Sequence, residues 1–343
     1  MKLIPIFFSF DNNYVPQAAV TFESLLTNAH PDVFYELFVV HSGLSSLNIK
    51  ELEEQVEKHN NAKLQFININ GKFNIDFSDD FFCTGHSDSV FTIETIYRCL
   101  PMFLPEFNKY EKIIYSDVDI IVVDDISNLF DTDLSNDYIA GIHLPNFLIQ
   151  QVNHLPPNIQ DTYIAGGLWV MNLKKMREDN IGDKIKNIIM KPPYRLIWND
   201  QDIINLACSP HISYISYRYC SIPGWNKLLK DMNYEDNRYP NKELYDAMYR
   251  PKIIHYAASK PWAKDYRPPL SDLWYYWLSK TNFSSKFDEN LIEKSYKIYY
   301  KAYLFSFIPL PKSWIKSEGN KIKVKLFRFF PFIKVRKIRE KQL

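Results

Sequence analysis

The chain lacks the features that mark several common protein classes. Its 343 residues hold four cysteines, Cys83, Cys99, Cys208 and Cys220, and no two of them form a CxxC pair. A zinc knuckle and a disulfide framework are therefore excluded, and reduced thiols in a cytosolic chain are expected. Glycine is scarce, with nine in all. No Gly-rich phosphate loop follows the first apolar run, and no Ser-His-Asp set can be assembled. The formal net charge is only +1, which argues against a generic nucleic-acid binder. No apolar run approaches the roughly 20 residues of a membrane span. The apolar start of residues 1–8 is too short for a signal peptide, and no internal repeat or low-complexity linker is evident.

What the chain does have is core-forming material, with 46% hydrophobic and 16% aromatic residues. Strand-like runs at residues 3–8, 35–41 and 63–70 alternate with helix-like patterns at 15–28 and 48–59. This order argues for an α/β fold with a parallel sheet. Further helices are expected at 92–103, at 174–190 and from Asn199, and further strands at 112–115, 138–142 and 167–172. Charge is unevenly placed. Residues 312–343 carry eleven Lys/Arg against Glu318 and Glu340, about +9, so the rest carries about −8. Phenylalanines interleave these cations, which suits an anionic membrane surface.

The most informative segment is Lys112–Val123, an apolar β-branched run interrupted by Asp117-Val118-Asp119. If the strand continues, alternation puts both aspartates on one face. Paired carboxylates repel unless a cation lies between them, and a hard divalent metal is the natural occupant. Asp131-Thr132-Asp133 repeats the pattern but reads as a solvated turn. Asp200-Gln201-Asp202 opens a helix, where one Asp can serve as a cap. Gln201 can present a carbonyl oxygen to a developing cation. His255 stands apart from the other histidines. It ends the apolar strand Lys252-Ile253-Ile254 and precedes Lys260-Pro261-Trp262, a placement that suits either a metal ligand beside a phosphate-binding lysine or a satisfied core histidine. Ala165-Gly166-Gly167 allows close backbone approach to a ligand or a bulge entering a strand.

These pieces together resemble glycosyltransferase family 8, the retaining transferases with the GT-A fold, especially the bacterial lipopolysaccharide galactosyl- and glucosyltransferases. The resemblance spans about residues 3–265. It rests on the turn from Ser9 to Tyr14, Thr95-Ile96-Tyr97-Arg98, Tyr115-Ser116-Asp117-Val118-Asp119, Ala165-Gly166 before Met171-Asn172-Leu173-Lys174-Lys175, Asn199-Asp200-Gln201-Asp202, and the stretch from His255 to Trp262. It implies a GT-A domain over residues 1–265, a Rossmann-like mixed sheet flanked by helices. A helical, basic and aromatic extension would follow over residues 266–343.

By the same resemblance, Ser9, Asp11, Asn13 and Tyr14 hold uridine and ribose, and Arg98 lies near the diphosphate and sugar. Val118, Ala165 and Gly166 line the nucleotide-sugar site. Asp117, Asp119 and His255 ligate the metal, and Lys260 binds the diphosphate. Asp200 and Gln201 contact the donor sugar, with Gln201 beside the anomeric carbon. Two carboxylates and one imidazole favour Mn2+ over Zn2+, with Mg2+ as the alternative. The implied activity is transfer of glucose or galactose from a UDP-sugar to a cell-surface glycan or glycolipid, at the cytoplasmic face of the membrane. Three departures stand out: Ile164 where relatives often carry Asn, His143 where they often carry Asp, and a short stretch from His255 to Lys260 without the usual Gly. A nucleotidyltransferase would carry a Gly-rich basic loop after its first strand, unlike Ser9–Tyr14. A non-catalytic nucleotide-sugar-binding module is the remaining alternative.

Overall fold

The computed structural model describes residues 1–72, 92–223, 238–257, 259–263 and 267–286, and the backbone of 315–318 and 321–324. The chain divides into two compact units, Met1–Ser295 and Tyr296–Leu343. The elements that open the first unit are β1 (Lys2–Ser9), α1 (Val15–Thr27), β2 (Val33–His41), α2 (Ser46–Val56) and β3 (Ala62–Asn68). Next come α3 (Ile93–Cys99), β4 (Lys112–Ser116), β5 (Ile120–Val122), β6 (Ile139–His143), α4 (Pro157–Thr162) and β7 (Ile164–Asn172). The unit closes with α5 (Leu173–Glu178), α6 (Ile181–Met190), α7 (Asn199–Cys208), β8 (Ile212–Tyr214), α8 (Asn241–Tyr249), β9 (Ile253–His255) and α9 (Ser271–Leu278).

Seven strands form one sheet in the order β3-β2-β1-β4-β7-β6-β8. β1 to β4 run parallel to one another, whereas β7 is antiparallel to both β4 and β6. This is the mixed sheet flanked by helices that the resemblance implies. β1 is central, and its residues from Ile4 to Ser9 are all buried, as expected for a strand covered on both faces. Phe7 and Tyr115 pack at 5.1 Å between ring centroids, and Tyr115 packs on Trp169 at 5.0 Å, so aromatic rings tie β1, β4 and β7 together. β1 and β4 pair directly, with Phe7 opposite Tyr115. The segments after Ser9 and after Ser116 therefore leave the same end of adjacent strands, where ligands of such sheets bind.

Several sequence expectations need correction. The Asp117 pair does not lie on a strand, because β4 ends at Ser116 and the next strand starts at Ile120. Between them the chain bends, and β5 leaves the main sheet to pair antiparallel with β9. The helix expected over 174–190 is two helices, broken at Asn180, whose φ of 54° puts it in the left-handed region that Asn tolerates. α3 stops at Cys99 because Leu100 precedes Pro101, which opens a short 3-10 turn. α9 lies beyond residue 265 yet packs against α1 within the first unit. In the second unit the described residues form two antiparallel strands, β10 (Ile315–Glu318) and β11 (Lys321–Val324). The rest of the basic tail, and also Cys83 and His86, lie outside the described residues.

Candidate functional site

The metal-ligand candidates converge across the bend between β4 and β5. One ligand atom from each of Asp117, Asp119 and His255 lies within 4.8 Å of the others. The β5–β9 pairing makes this happen by setting Ile120 opposite His255, so the imidazole arrives beside Asp119. His255 Nε2 is 3.1 Å from Asp119 Oδ1 and 3.7 Å from Asp117 Oδ2. Both His255 Nε2 and Asp119 Oδ1 are buried without an aligned hydrogen bond. Buried polar atoms are costly to leave unpaired, and a cation shared among them is the arrangement that satisfies all of them.

The neighbouring groups orient these ligands. The Tyr115 hydroxyl donates to Asp117 Oδ1, leaving Oδ2 on the His255 side. Cys220 Sγ sits 3.2 Å from His255 Nδ1, so Nε2 is the nitrogen turned toward the carboxylates. Gly167 has φ +93°, and a Cβ there would lie 2.3 Å from His255 Cε1 and 3.1 Å from Asp117 Oδ2. Only glycine lets β7 pass this close. Two oxygens, one imidazole nitrogen and this tight cradle fit a divalent cation. Burial works against the Asp119 carboxylate, but Lys260 and His255 more than offset it and hold its pKa well below the usual range. Lys260 Nζ donates to Asp119 Oδ2 and, at 2.8 Å, to the Tyr256 carbonyl.

A second charged group adjoins the first. Arg98 Nη1 lies 3.4 Å from Asp117 Oδ1 and 3.3 Å from Asp200 Oδ2, linking α3 to α7 through the bend. Burial pushes the Asp200 pKa up, Arg98 opposes it, and Asp117 adds to the rise, giving about 6. The turn after β1 lies at the same sheet end. Asp11 accepts from the Asn13 backbone at 2.8 Å and from the Asn13 side chain at 3.1 Å. Tyr14 is exposed, while the buried Ser9 hydroxyl donates to the Glu94 carbonyl at 2.8 Å. Ser9 thus presents main chain rather than its side chain.

Of the remaining candidates, Gln201, Ala165 and Gly166 sit along the seam between β7 and α7, and Val118 lies in the bend between β4 and β5. Gln201 Oε1 accepts from the Gly166 N–H, and its Nε2 donates to the Tyr163 hydroxyl at 3.1 Å. Ala165 is buried, its carbonyl taken by Trp169 Nε1 at 3.0 Å. Val118 is buried with its carbonyl accepting from Thr21 at 2.9 Å. Neither Asp200 nor Asp202 is the helix cap expected from the sequence: the N-cap is Trp198 without a side-chain bond, and Asp202 lies inside α7 and accepts from the Ile197 and Trp198 backbones at 2.7 and 2.9 Å.

The sequence model of glycosyl transferase family 8 matches residues 5–266. The chain belongs to this family. Among curated family relatives, General stress protein A of Bacillus subtilis is 25% identical over 283 residues, covering 80% of this chain and 93% of that protein. The lipopolysaccharide 1,2-glucosyltransferase of Escherichia coli is 24% identical over 269 residues, covering 77% and 74%. The galactosyltransferase LgtC, solved with donor and acceptor sugar analogues, superposes with a TM-score of 0.61 at 20% identity, over 81% of this chain and 96% of that one. That likeness establishes the shared fold.

For this family 8 chain, the structure brings Asp117, Asp119, His255, Lys260, Arg98, Asp200 and Gln201 to one sheet end. Sequence reasoning missed four residues that hold the site in shape. Asn12 bolts the first turn to the β2–α2 loop through Gly43, Ser45 and Asn48, at 2.8 to 2.9 Å. Asn205 clamps α7 to β7 by exchanging hydrogen bonds of 2.8 and 2.9 Å with the Ile164 main chain. Tyr163 and Cys220 contact Gln201 and His255. Of these, only Asn205 carried a signal, a polar residue in the apolar run after Asp202. His143, placed by the resemblance near an acceptor, stacks on Tyr214 at 4.0 Å and meets the Asp161 carbonyl at 2.8 Å. Among the described residues no helix is long and apolar enough to cross a membrane.

Proposed function

We propose that the protein is a metal-dependent, retaining hexosyltransferase that moves glucose or galactose from a UDP-sugar to a cell-surface glycan such as a lipopolysaccharide core or capsule. The observation that carries this reading is the convergence of Asp117, Asp119 and His255 at the sheet end that also holds the Ser9–Tyr14 turn and Gln201. Family membership, the glucosyltransferase relative and the LgtC fold support the same activity.

Asp117, Asp119 and His255 would hold a divalent cation, Mn2+ for preference, with Mg2+ as the alternative. When bound, it neutralises charge on the departing diphosphate. The chain's own residues do the rest. Lys260 and Arg98 supply two further cations for the phosphates and sugar. The turn holds the nucleoside through Asp11, Asn13 and Tyr14, with Ser9 contributing main chain, while Val118, Ala165 and Gly166 form backbone wall. Asp200 holds the sugar. Gln201 turns its carbonyl dipole toward the carbon that develops positive charge, and one lone pair remains free because Gly166 takes only one. Among the described residues no side chain stands ready as a general base, so the departing phosphate accepts the acceptor's proton and the acceptor enters on the same face. The basic, phenylalanine-rich segment 312–343 is proposed to meet an anionic membrane, which would place the enzyme at the inner face beside lipid-linked acceptors.

The test is UDP release from a panel of UDP-sugars with Mn2+, with and without a chelator. Release from UDP-glucose or UDP-galactose that Asp119→Asn abolishes supports the reading. Silence with every donor, or undiminished release by Asp119→Asn, overturns it.

A further inference from the structure

A glutamine amide has nearly the same shape in either orientation, so its neighbours must decide which end faces a site. At Gln201 one side is fixed by the Gly166 N–H, which can only donate and points at Oε1. The other side is a hydroxyl, Tyr163, which by itself can donate or accept. Its choice is removed by Asp202. The Tyr163 hydroxyl donates to Asp202 Oδ1. The other carboxylate oxygen accepts from Ile197 N, Trp198 N and His154 Nε2 at 2.7, 2.9 and 2.9 Å. Tyr163 and Asp202 are both fully buried. A carboxylate only accepts, so the phenolic proton is committed to it. The Tyr163 oxygen can then only accept from Gln201, and the Gln201 nitrogen must face it. Asn205 fixes the spacing of the whole set, since its side chain also donates to the main-chain carbonyl of Gln201 at 2.8 Å.

We propose that Tyr163 and Asp202 are positioning residues that set the orientation of the Gln201 amide, so that its carbonyl rather than its NH2 serves the reacting sugar. This rests on the reading of Gln201 as the residue beside the reacting carbon. A flipped amide would aim a donor at developing positive charge and would set its NH2 against the Gly166 N–H. A buried hydrogen-bonded set in which the Tyr163 hydroxyl, both Asp202 oxygens and both ends of the Gln201 amide have partners specifies one orientation.

Tyr163→Phe removes the hydroxyl with little change in volume. Misplacing a catalytic group by about 1 Å can cost about 100-fold, so kcat for UDP release should fall by about 10- to 100-fold. KM for the UDP-sugar should stay within about twofold, because the nucleoside turn and the metal ligands are untouched. Because Tyr163 acts through Gln201, Tyr163→Phe/Gln201→Ala should be no slower than Gln201→Ala alone. Asp202→Asn, which can donate to the hydroxyl and free its proton for Gln201, should show the same non-additivity. Multiplicative losses in both pairs, or an unchanged kcat in Tyr163→Phe, overturn the proposal. If the wild-type protein releases no UDP from any donor, the parent reading fails separately. The orientation is then decided by solvent exchange of the 15N-labelled Gln201 side-chain amide. Loss of one hydrogen bond should make that exchange about tenfold faster in Tyr163→Phe, and equal exchange would refute the proposal.

Discussion

Asp200 offers a sharp test of the site's energetics. Its carboxylate is only 15% exposed and shares Arg98 with Asp117. Burial first, and Asp117 second, raise its pKa from 3.8 to about 6 despite Arg98. The folded protein therefore binds a proton here more tightly than the unfolded chain does. The stability this gives is fully present below about pH 3.8 and is lost as pH rises through about 6. Each pKa unit corresponds to about 1.4 kcal/mol, so raising the pH from 4 to 7 should remove about 2 kcal/mol through this group alone. Asp200→Asn deletes the titration and leaves Arg98 its contact with Asp117. Urea unfolding of the metal-free protein at pH 4, 5, 6 and 7 should show the mutant curve rising relative to wild type across that window by about 2 kcal/mol. At neutral pH the variant should be no less stable than wild type while losing sugar transfer, as expected of a strained catalytic carboxylate. Parallel wild-type and mutant profiles would refute the assignment of this shift to burial at the site.

Three further outcomes follow from the geometry. Gly167→Ala places a Cβ 2.3 Å from His255 Cε1 at φ +93°, so Mn2+ affinity, read by electron paramagnetic resonance titration, should fall about 10- to 100-fold; unchanged affinity would remove Gly167 from the cradle. Lys260→Met should raise KM for the UDP-sugar by about tenfold or more, the worth of a hydrogen bond to a charged group, and an unaltered KM in initial-rate assays would show that Lys260 serves Asp119 alone. Removing residues 312–343 should abolish co-sedimentation with phosphatidylserine-rich vesicles, since each cation near the headgroups contributes about 1 kcal/mol; equal partitioning of the full and truncated chains would exclude the tail as a membrane contact.

Sequence patterning alone was enough for the strand–helix alternation and the buried character of β1, whereas only the family resemblance joined His255 to Asp117 and Asp119. Residue type and local period carry the alternation and the burial, because a β-branched apolar run favours a buried strand wherever the chain goes. The convergence of Asp117 and Asp119, however, rests on a bend that takes β5 out of the main sheet, and no local pattern reveals that β5 will pair with β9 rather than extend β4. In the sequence Gly167 allows either a close approach to a ligand or a bulge, and only the fold sets His255 against it. Tyr163 and Asp202 matter only because α7 and β7 lie side by side, which puts a phenol between an amide and a carboxylate from another element. Hydrogen-bond direction depends on which groups meet, and groups distant in sequence meet only once the strands have chosen their partners. The sequence therefore determined which chemistry is available, and the tertiary structure decided which atoms face one another and which way each proton points.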